Sequence, residues 1–250
     1  MNLKKHQANS PPIFLSVVIP CYNEEAVIQD TLGKVTSYLG LKGYMYEIIV
    51  VDDASTDTTT KIAKRMAMDS QEIQVLQNDK NNGKGASVKK GLLRAKGQFV
   101  CFSDADLSTP IEEVDKLLAE LYQGYDIAIG SRGLKESVIQ IHQPWYRERM
   151  GKTFNLLIQI FTLRGIKDTQ CGFKCFRKEI INDICSMQQI NGFSFDVEIL
   201  YIARKLGYRI KEVPIRWYNN PTSRVNPFLD PFKMMFDLFR IKINDWKGRY

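Results

Sequence analysis

The sequence contains no run of eighteen apolar residues and therefore predicts no helix that crosses a bilayer. Polar residues and two prolines follow the Lys4-Lys5 pair, where a signal peptide would have an apolar segment, so no signal peptide is expected. Only two histidines accompany five cysteines, and no Cys-x-x-Cys spacing occurs. A zinc site is therefore disfavoured, and reduced, cytosolic thiols are expected.

The composition excludes disordered and fibrous proteins. The chain has 250 residues, of which 44% are hydrophobic and 25% are charged, which is ordinary globular usage. Repeats, low-complexity tracts and Gly/Ser linkers are lacking. We therefore expect residues 1–250 to form a single domain, of which residues 1–13 are a flexible N-terminal tail.

Positive charge is concentrated in the second half of the chain. Residues 1–125 carry 14 Lys and Arg against 16 Asp and Glu, a net of −2, whereas residues 126–250 carry 21 against 12, a net of +9. This asymmetry predicts an anionic partner for the second half, either phosphates, an anionic membrane face or nucleic acid. Solvated surface lysines are the alternative explanation.

The first half alternates short apolar runs with longer amphipathic segments, a pattern typical of parallel strands joined by crossover helices. Strands are predicted at residues 14–19, 47–51, 73–76, 98–102 and 126–129. Helices are predicted at 24–39, 57–68, 86–96 and 110–122, the last capped by Thr109 with Pro110 at its first position. The fold class is therefore α/β, an open, mostly parallel sheet flanked by helices.

In such sheets, ligands bind outside the carboxyl ends of the strands. Segments 20–24, 52–57, 104–108 and 130–132 each follow a predicted strand, and all are polar or acidic. We expect these four segments to converge on one crevice.

The second half breaks the alternation. Helices are predicted at residues 145–163, 195–206 and 231–246, a turn-rich stretch at 169–176 and a strand at 209–218. Residues 154–161 and the final helix are strongly apolar, as core helices are. Basic residues accompany the final helix, namely Lys233, Arg240, Lys242, Lys247 and Arg249, and favour a helix that lies in the interface of an anionic membrane.

Two common nucleotide motifs are excluded. The NGKG segment at 82–85 resembles a phosphate loop, but a Walker A sequence requires Gly at position 78, where this chain has Asn78. No glycine follows the first strand, so the dinucleotide fingerprint is missing as well. Gly83 and Gly85 either contact a donor or only allow the backbone to turn.

The strongest chemical signal is acidic. Asp104 and Asp106 follow a predicted strand, and their hard oxygen atoms suit Mg²⁺ or Mn²⁺, which neutralise a departing diphosphate. An Asp-x-Asp pair alone is common in turns. Together with Asp52 and Asp53 it places four carboxylates at one sheet edge, which is unfavourable unless they bind cations or hydrogen-bond donors.

Eight segments of the sequence together resemble a known family. The segments that carry the resemblance are VVIPCYNE (17–24), VVDDASTD (50–57), NGKG (82–85), DAD (104–106), GSR (130–132), DTQCGFK (168–174), FDVE (195–198) and EVPIRW (212–217). They resemble the GT-A glycosyltransferases of family 2, and in particular the dolichyl-phosphate β-glucosyltransferase branch. The resemblance covers residues 14 to about 243, and its motifs are specific as a set.

The resemblance implies a GT-A fold, a nucleotide-sugar-binding half at 14–132 and an acceptor-binding and membrane-contact half at 133–250. The implied donor-binding residues are Pro20, Tyr22, Glu24, Asp52, Asp53, Lys84 and Asp104, the metal ligands Asp104 and Asp106, and the catalytic residues Asp104, Asp106 and Arg132. The implied acceptor-phosphate residues are Ser131, Arg132, Arg147, Lys174 and Arg224, with Asp196 and Glu198 orienting the acceptor. Tyr22 as a packing residue, and Arg147 and Lys174 as surface charges, are the structural alternatives.

The implied reaction is inverting transfer of a sugar, expected to be glucose from UDP-glucose, to a polyprenyl phosphate, without nucleic acid. Because a phosphate acceptor is already an anion, no general base is required. A saccharide hydroxyl acceptor would need Asp196 or Glu198 as a base. A mannosyltransferase that uses GDP-mannose is disfavoured by Ser108, where that branch tends to have Gln, and a non-catalytic scaffold by the intact Asp pair. The expected location is the cytoplasmic face of a membrane.

Overall fold

The computed structural model describes residues 12–141, 155, 157–159, 162–219 and 230–250. The strands are β1 (Leu15–Cys21), β2 (Tyr46–Asp52), β3 (Ile73–Gln77), β4 (Phe99–Ser103), β5 (Ile127–Ser131), β6 (Val138–Ile141), β7 (Phe173–Arg177), β8 (Ile210–Pro214) and β9 (Arg216–Tyr218). The α-helices with described bounds are α1 (Ile28–Gly40), α2 (Thr59–Asp69), α3 (Lys84–Arg94), α4 (Val114–Tyr122), α5 (Ile181–Met187), α6 (Phe195–Lys205) and α7 (Asp230–Trp246). Two short 3₁₀ helices, Ile111–Glu113 and Lys178–Ile180, precede α4 and α5.

Seven strands form one sheet in the order β3-β2-β1-β4-β7-β5-β8. All are parallel except β7, which pairs antiparallel with both β4 and β5. The prediction of an open, mostly parallel α/β sheet is confirmed. Strands β6 and β9 form a separate two-stranded sheet.

Side chains alternate between the two faces of the sheet and build one core on each face. Val18 and Phe102 pack in the core that contains residues of α3, α5, α6 and α7. Their neighbours Val17 and Cys101 pack in the core that contains residues of α1, α2 and α4. Because helices cover both faces, the central strands are buried throughout, which explains their continuous apolar sequence.

The structure corrects four local predictions. The turn-rich stretch at 169–176 contains the central strand β7, whose Lys174 interrupts the apolar pattern by which strands are recognised. The strand at 209–218 ends at Pro214, and the following residues join the other sheet as β9. Helix α1 begins at Ile28 rather than at residue 24. Thr109 does not cap a helix at Pro110, because a 3₁₀ turn comes first and α4 begins at Val114.

Other predictions fall partly on residues that the structure leaves undescribed. Of the helix predicted at 145–163, the described residues 155 and 157–159 are helical, whereas most of the segment lies outside the described residues. Most of the predicted tail at 1–13 also lies outside them. Within the described ranges, no helix is long and apolar enough to span a bilayer. All five cysteines are buried free thiols.

Candidate active site

The carboxyl ends of the parallel strands form one edge, to which the loop before β7 also returns. The loops after β1 and β2 are joined by bonds from the Asp53 amide to the Cys21 carbonyl (2.9 Å) and from the Asn23 amide to Ser55 Oγ (2.9 Å). The amide of Asp104, after β4, donates to the carbonyl of Gly172 (3.1 Å). The antiparallel direction of β7 therefore brings residues 168–172 to the edge that the sequence identified as the ligand site.

The Asp104–Asp106 turn is tightly structured. Asp106 Oδ1 accepts the amide of Ser108 (2.9 Å), and Leu107 adopts the left-handed conformation with φ = 48°, which is unfavourable for a branched side chain. Lys84 Nζ pairs with Asp104 Oδ1 at 2.6 Å. Burial opposes the charge on Lys84, but Asp104 and Asp196 outweigh burial and raise the pKa of Lys84. The two carboxylates of the turn thus lie beside a charged lysine from the start of α3.

Gly172 allows the Asp104 carboxylate to occupy its position. A Cβ built at residue 172 would overlap both the carboxylate oxygens and the carboxyl carbon of Asp104. The backbone of residue 172 and the Asp104 carboxylate therefore approach more closely than a side chain at residue 172 would permit. The loop before β7 fixes the first acidic residue of the turn by shape as well as by its hydrogen bond.

We expect Gly172→Ala to lower kcat by about tenfold to a hundredfold, because the displaced carboxylate no longer lies where the turn holds it. Steady-state kinetics, together with a thermal melt, measures this effect. Gly33→Ala is the matched control, since nothing lies within 4 Å of its new Cβ in α1. Equal activity in both variants would show that the position of Asp104 is unimportant.

Asp52 and Asp53 lie at the edge but are buried and hydrogen-bonded within the protein. Asp52 accepts Thr60 Oγ1 (2.7 Å), and Asp53 accepts the amides of Asn82 (3.0 Å) and Gly83 (2.8 Å). Asp53 therefore holds the turn from which α3 and its first residue, Lys84, begin. Contact of either carboxylate with a donor stays a prediction.

The glycine-containing turn has a clear backbone function. Gly83 adopts φ = 95°, and a Cβ at this position would approach the carbonyl oxygen of Asn191 to 2.5 Å. The backbone turn into α3 thus requires glycine whether or not a donor binds there.

The remaining predicted donor residues follow β1. Pro20 is buried within that strand, whereas Tyr22 is 38% exposed at its end. The backbone amide of Glu24 donates to Thr59 Oγ1 (2.7 Å), which fixes this loop against α2. Tyr22 is therefore accessible to a ligand, and packing does not account for its whole side chain.

Arg132 is held in a bidentate ion pair that the sequence did not predict. Its Nε and Nη2 donate to the two oxygens of Asp168 at 2.7 and 2.9 Å, and its own amide donates to Asp168 at 2.9 Å. Burial raises and Arg132 lowers the pKa of Asp168, and the lowering is the larger effect. The guanidinium also lies 5.3 Å from the centre of the Trp217 ring. It remains 31% exposed and is firmly oriented at the edge.

Glu212 supports this ion pair from β8. Glu212 Oε1 accepts the hydroxyl of buried Ser131 (2.7 Å) and the amide of Asp168 (3.0 Å). Ser131, predicted to contact an acceptor phosphate, thus donates its hydroxyl within the protein. Asp168 and Glu212 both lie in the family motifs, and a fixed arginine needs an acidic partner. Their spacing along the chain does not indicate that Asp168 pairs with Arg132 or that Glu212 supports the pair.

Lys174 is not at the surface. Its side chain is 0% exposed, and its ammonium bonds to Asp196 and to the carbonyl of Cys171 (2.6 Å). Desolvation raises the pKa of Asp196 despite the opposing charges of Lys174 and Lys84. The position of Lys174 favours a structural role, fixing the start of α6 and the loop before β7, over direct contact with an acceptor.

Glu198 lies two residues after Asp196, also in the first turn of α6, and its side chain is likewise 0% exposed. Its carboxylate accepts the amides of Gln189 (3.0 and 3.1 Å) and Ile190 (2.8 Å) and the hydroxyl of Tyr250 (2.5 Å). All these partners belong to the protein. In the described conformation the structure therefore does not support the predicted contact with an acceptor, and Glu198 joins α6 to the preceding loop and to the end of α7.

We expect Glu198→Gln to lower the free energy of unfolding by about 1–3 kcal/mol, because the amide turns an N–H group toward buried donors. The turnover rate of the folded variant should stay within about threefold of wild type. Urea unfolding and initial rates measure the two effects, with Gln29→Ala, at an exposed position of α1, as a stability control. A stable variant without activity would show that Glu198 takes part in acceptor binding or turnover.

Arg147 and Arg224, the other predicted acceptor residues, lie outside the described residues. Across the described part of the chain, no group of three or more His, Cys, Asp or Glu side chains is arranged to hold a metal. The Asp104–Asp106 turn supplies two partly exposed carboxylates. A divalent cation fits these hard donors if the remaining ligands come from a diphosphate or water.

This sheet, with an acidic turn after β4 and a fixed arginine after β5, defines a GT-A glycosyltransferase fold. The family model described as "Glycosyl transferase family 2" matches residues 16–185. The chain belongs to that family.

Curated relatives match nearly the whole chain. A dolichyl-phosphate beta-glucosyltransferase of Saccharomyces cerevisiae is 36% identical over 100% of this chain and 80% of its own length. Relatives of the same name from Drosophila melanogaster (35% identical, 97% and 78%) and Homo sapiens (34%, 97% and 79%) are similar to the same extent.

Solved structures share the fold. Mannosyl-3-phosphoglycerate synthase from Rubrobacter xylanophilus superposes with a TM-score of 0.70 at 17% identity, covering 95% of this chain and 76% of that one. Glucosyl-3-phosphoglycerate synthase from Mycobacterium tuberculosis, solved with Mn²⁺, UDP and phosphoglyceric acid, gives 0.68 at 20% identity, covering 93% and 78%.

Proposed function

We propose that this chain transfers glucose from UDP-glucose to the phosphate of a dolichyl-type polyprenyl phosphate, with inversion at C1. The observation that carries the proposal is the Asp104–Asp106 turn with Lys84 bonded to it, in a chain that resembles dolichyl-phosphate beta-glucosyltransferases over nearly its whole length. The enzyme would work at the cytoplasmic face of a membrane.

The acceptor is a phosphate rather than a sugar hydroxyl. A hydroxyl acceptor needs a general base within hydrogen-bonding reach, whereas a phosphate oxygen carries its charge already. Asp196 is nearly buried and paired with Lys174, and Glu198 is bonded to the protein on both oxygens. Neither acid predicted from the sequence is exposed to accept an acceptor proton, which favours the anionic acceptor.

Asp104 and Asp106 would hold Mg²⁺ or Mn²⁺ together with the donor diphosphate. Bound there, the cation supplies electrostatic stabilisation of the leaving UDP. Lys84 adds a positive charge beside the same carboxylates. Asp104 and Asp196 raise the pKa of Lys84, so the lysine stays charged at neutral pH, and its pair with Asp104 would hold this charge beside the phosphate oxygens.

Arg132 would orient the anionic reacting groups. The Asp168 pair restricts the guanidinium to one plane, and Trp217 lies beside it. An arginine fixed in this way loses little conformational entropy when it binds a phosphate oxygen. Catalysis then depends on positioning and on charge stabilisation.

The test is product analysis with radiolabelled UDP-glucose and polyprenyl phosphate, with extraction of the product into organic solvent. Label in the organic phase that depends on both substrates supports the proposal. GDP-mannose as the better donor would assign the chain to mannosyl transfer, and label transferred only to a saccharide would assign a hydroxyl acceptor. Binding of UDP-glucose without turnover on any acceptor would indicate a scaffold.

A further inference from the structure

The loop before β7, residues 168–172, links the two charged parts of the candidate site. At its start, Asp168 pairs with Arg132, which follows β5, at 2.7 Å. At its end, the carbonyl of Gly172 accepts the amide of Asp104, which follows β4, at 3.1 Å. Four residue steps of chain span at most about 14 Å, so the fixed arginine and the acidic turn are held a short distance apart. The loop runs from one to the other.

The charges at the two ends of this loop interact. Burial opposes the charge on Arg132, whereas Asp168 raises the pKa of its guanidinium most strongly. Asp104 raises this pKa as well, although less, so its carboxylate is close enough to interact with the arginine. In the proposed reaction the donor diphosphate lies at Asp104 and the acceptor phosphate at Arg132. The sugar ring that passes between these two anions therefore lies along the loop before β7.

Gln170 is the residue of this loop whose polar side chain reaches the surface. Asp168, Thr169 and Cys171 are buried, with 7%, 1% and 1% exposure, and Gly172 has no side chain. Gln170 is partly exposed, and its backbone amide donates to Asp168 Oδ1 (3.3 Å). Within the part of the chain that the structure describes, its carboxamide has no hydrogen-bond partner. The carboxamide is therefore available to a ligand at the middle of the loop.

The chemistry of a carboxamide suits a sugar rather than a phosphate. Its oxygen accepts and its nitrogen donates hydrogen bonds, which matches hydroxyl groups that do both. The groups at the two ends of the loop are charged and suit ions, whereas Gln170 is neutral, as a glucosyl ring is.

We propose that Gln170 binds hydroxyl groups of the transferred sugar and thereby selects the donor. The inference deepens the proposed function and rests on it in one respect, namely that a nucleotide sugar binds at the Asp104–Asp106 turn. A site that hydrogen-bonds a substrate hydroxyl discriminates against donors that lack or invert this hydroxyl, because the carboxamide is then left unpaired.

The first test is titration calorimetry of the full chain with UDP and with UDP-glucose in the presence of Mg²⁺. We expect Gln170→Ala to raise the Kd of UDP-glucose about tenfold and to leave the Kd of UDP within about twofold of wild type. UDP carries no sugar, so a merely structural disturbance of the site would weaken both ligands. The matched control is Gln123→Ala, an exposed glutamine directly after α4, which should change neither constant.

The second test is donor selectivity, measured as kcat/KM on polyprenyl phosphate with UDP-glucose, UDP-galactose or UDP-xylose. In Gln170→Ala, the preference for UDP-glucose over at least one of the other donors should fall about tenfold. Gln170→Glu keeps the size of the side chain but loses its N–H donors and adds a negative charge beside the diphosphate. It should therefore lower kcat/KM for UDP-glucose further than Gln170→Ala does. Both variants should melt near the wild-type temperature, because the side chain is partly exposed.

The two tests separate this inference from the proposed function. If Gln170→Ala weakens UDP-glucose selectively but the wild type transfers label to no polyprenyl phosphate, the proposed acceptor fails and the sugar contact stands. If the wild type labels the lipid but Gln170→Ala changes neither the ratio of the two Kd values nor the donor selectivity, the sugar contact is overturned. Equal weakening of UDP and UDP-glucose, with unchanged selectivity, overturns it as well, since residue 170 would then act only on the structure of the loop.

Discussion

Replacement of Asp106 with Asn is expected to lower the turnover number about a thousandfold or more, with little loss of stability. The substitution would remove one hard oxygen ligand from the proposed site of the cation and the donor diphosphate, so the charge on the leaving group would be poorly stabilised. The fold should persist because an amide oxygen can still accept the amide of Ser108, as Asp106 does at 2.9 Å. Initial rates at saturating UDP-glucose and a thermal melt measure the two effects.

Asp69→Asn is the matched control for this substitution, since Asp69 is exposed at the end of α2. It should leave the rate unchanged. Chelation of divalent cations by EDTA should reproduce the loss in the wild type, and added Mg²⁺ or Mn²⁺ should reverse it. Full activity in EDTA would contradict the metal requirement.

Lys174→Met is expected to lower the free energy of unfolding by about 3–5 kcal/mol, because it leaves the Asp196 carboxylate buried without its partner. Lys174 is wholly buried, and Asp196 is also buried. The remaining Lys84 compensates only in part, since it is already paired with Asp104. Chemical denaturation of the wild type and the variant measures the difference.

The double variant Lys174→Met with Asp196→Leu separates the ion pair from an acceptor-binding role. Removing both charges avoids the unpaired carboxylate, so the double variant should be more stable than Lys174→Met alone. A Lys174→Met protein of normal stability with a strongly raised KM for the lipid acceptor would instead place Lys174 in contact with the acceptor phosphate.

The architecture of the first half follows from local sequence. Strand and helix periods are properties of a few neighbouring residues, and the carboxyl ends of parallel strands necessarily share an edge. The positions of Asp104 and Arg132 at one edge could therefore be predicted, as could the sheet that brings them there, whereas Lys84 was implied only by the family resemblance. The reaction was expected from the family motifs, because the periodicity of apolar residues indicates only secondary structure.

The second half depended on tertiary structure. Strand β7 lies between β4 and β5 because its backbone groups need partners on both sides, a pairing over more than forty residues that its turn-like sequence does not indicate. The same strand buries Lys174 opposite Asp196, and its preceding loop brings Asp168 to Arg132.

Sequence by itself determined which residue types this protein offers for chemistry and on which strand ends they lie. Only tertiary structure decided which charges face a ligand and which face each other. Glu198 and Phe236 illustrate the difference, since an acid expected at the acceptor is buried and an apolar ring on α7 is exposed. The physical reason is that exposure and ion pairing depend on neighbours distant in the chain, whereas propensity depends on adjacent residues.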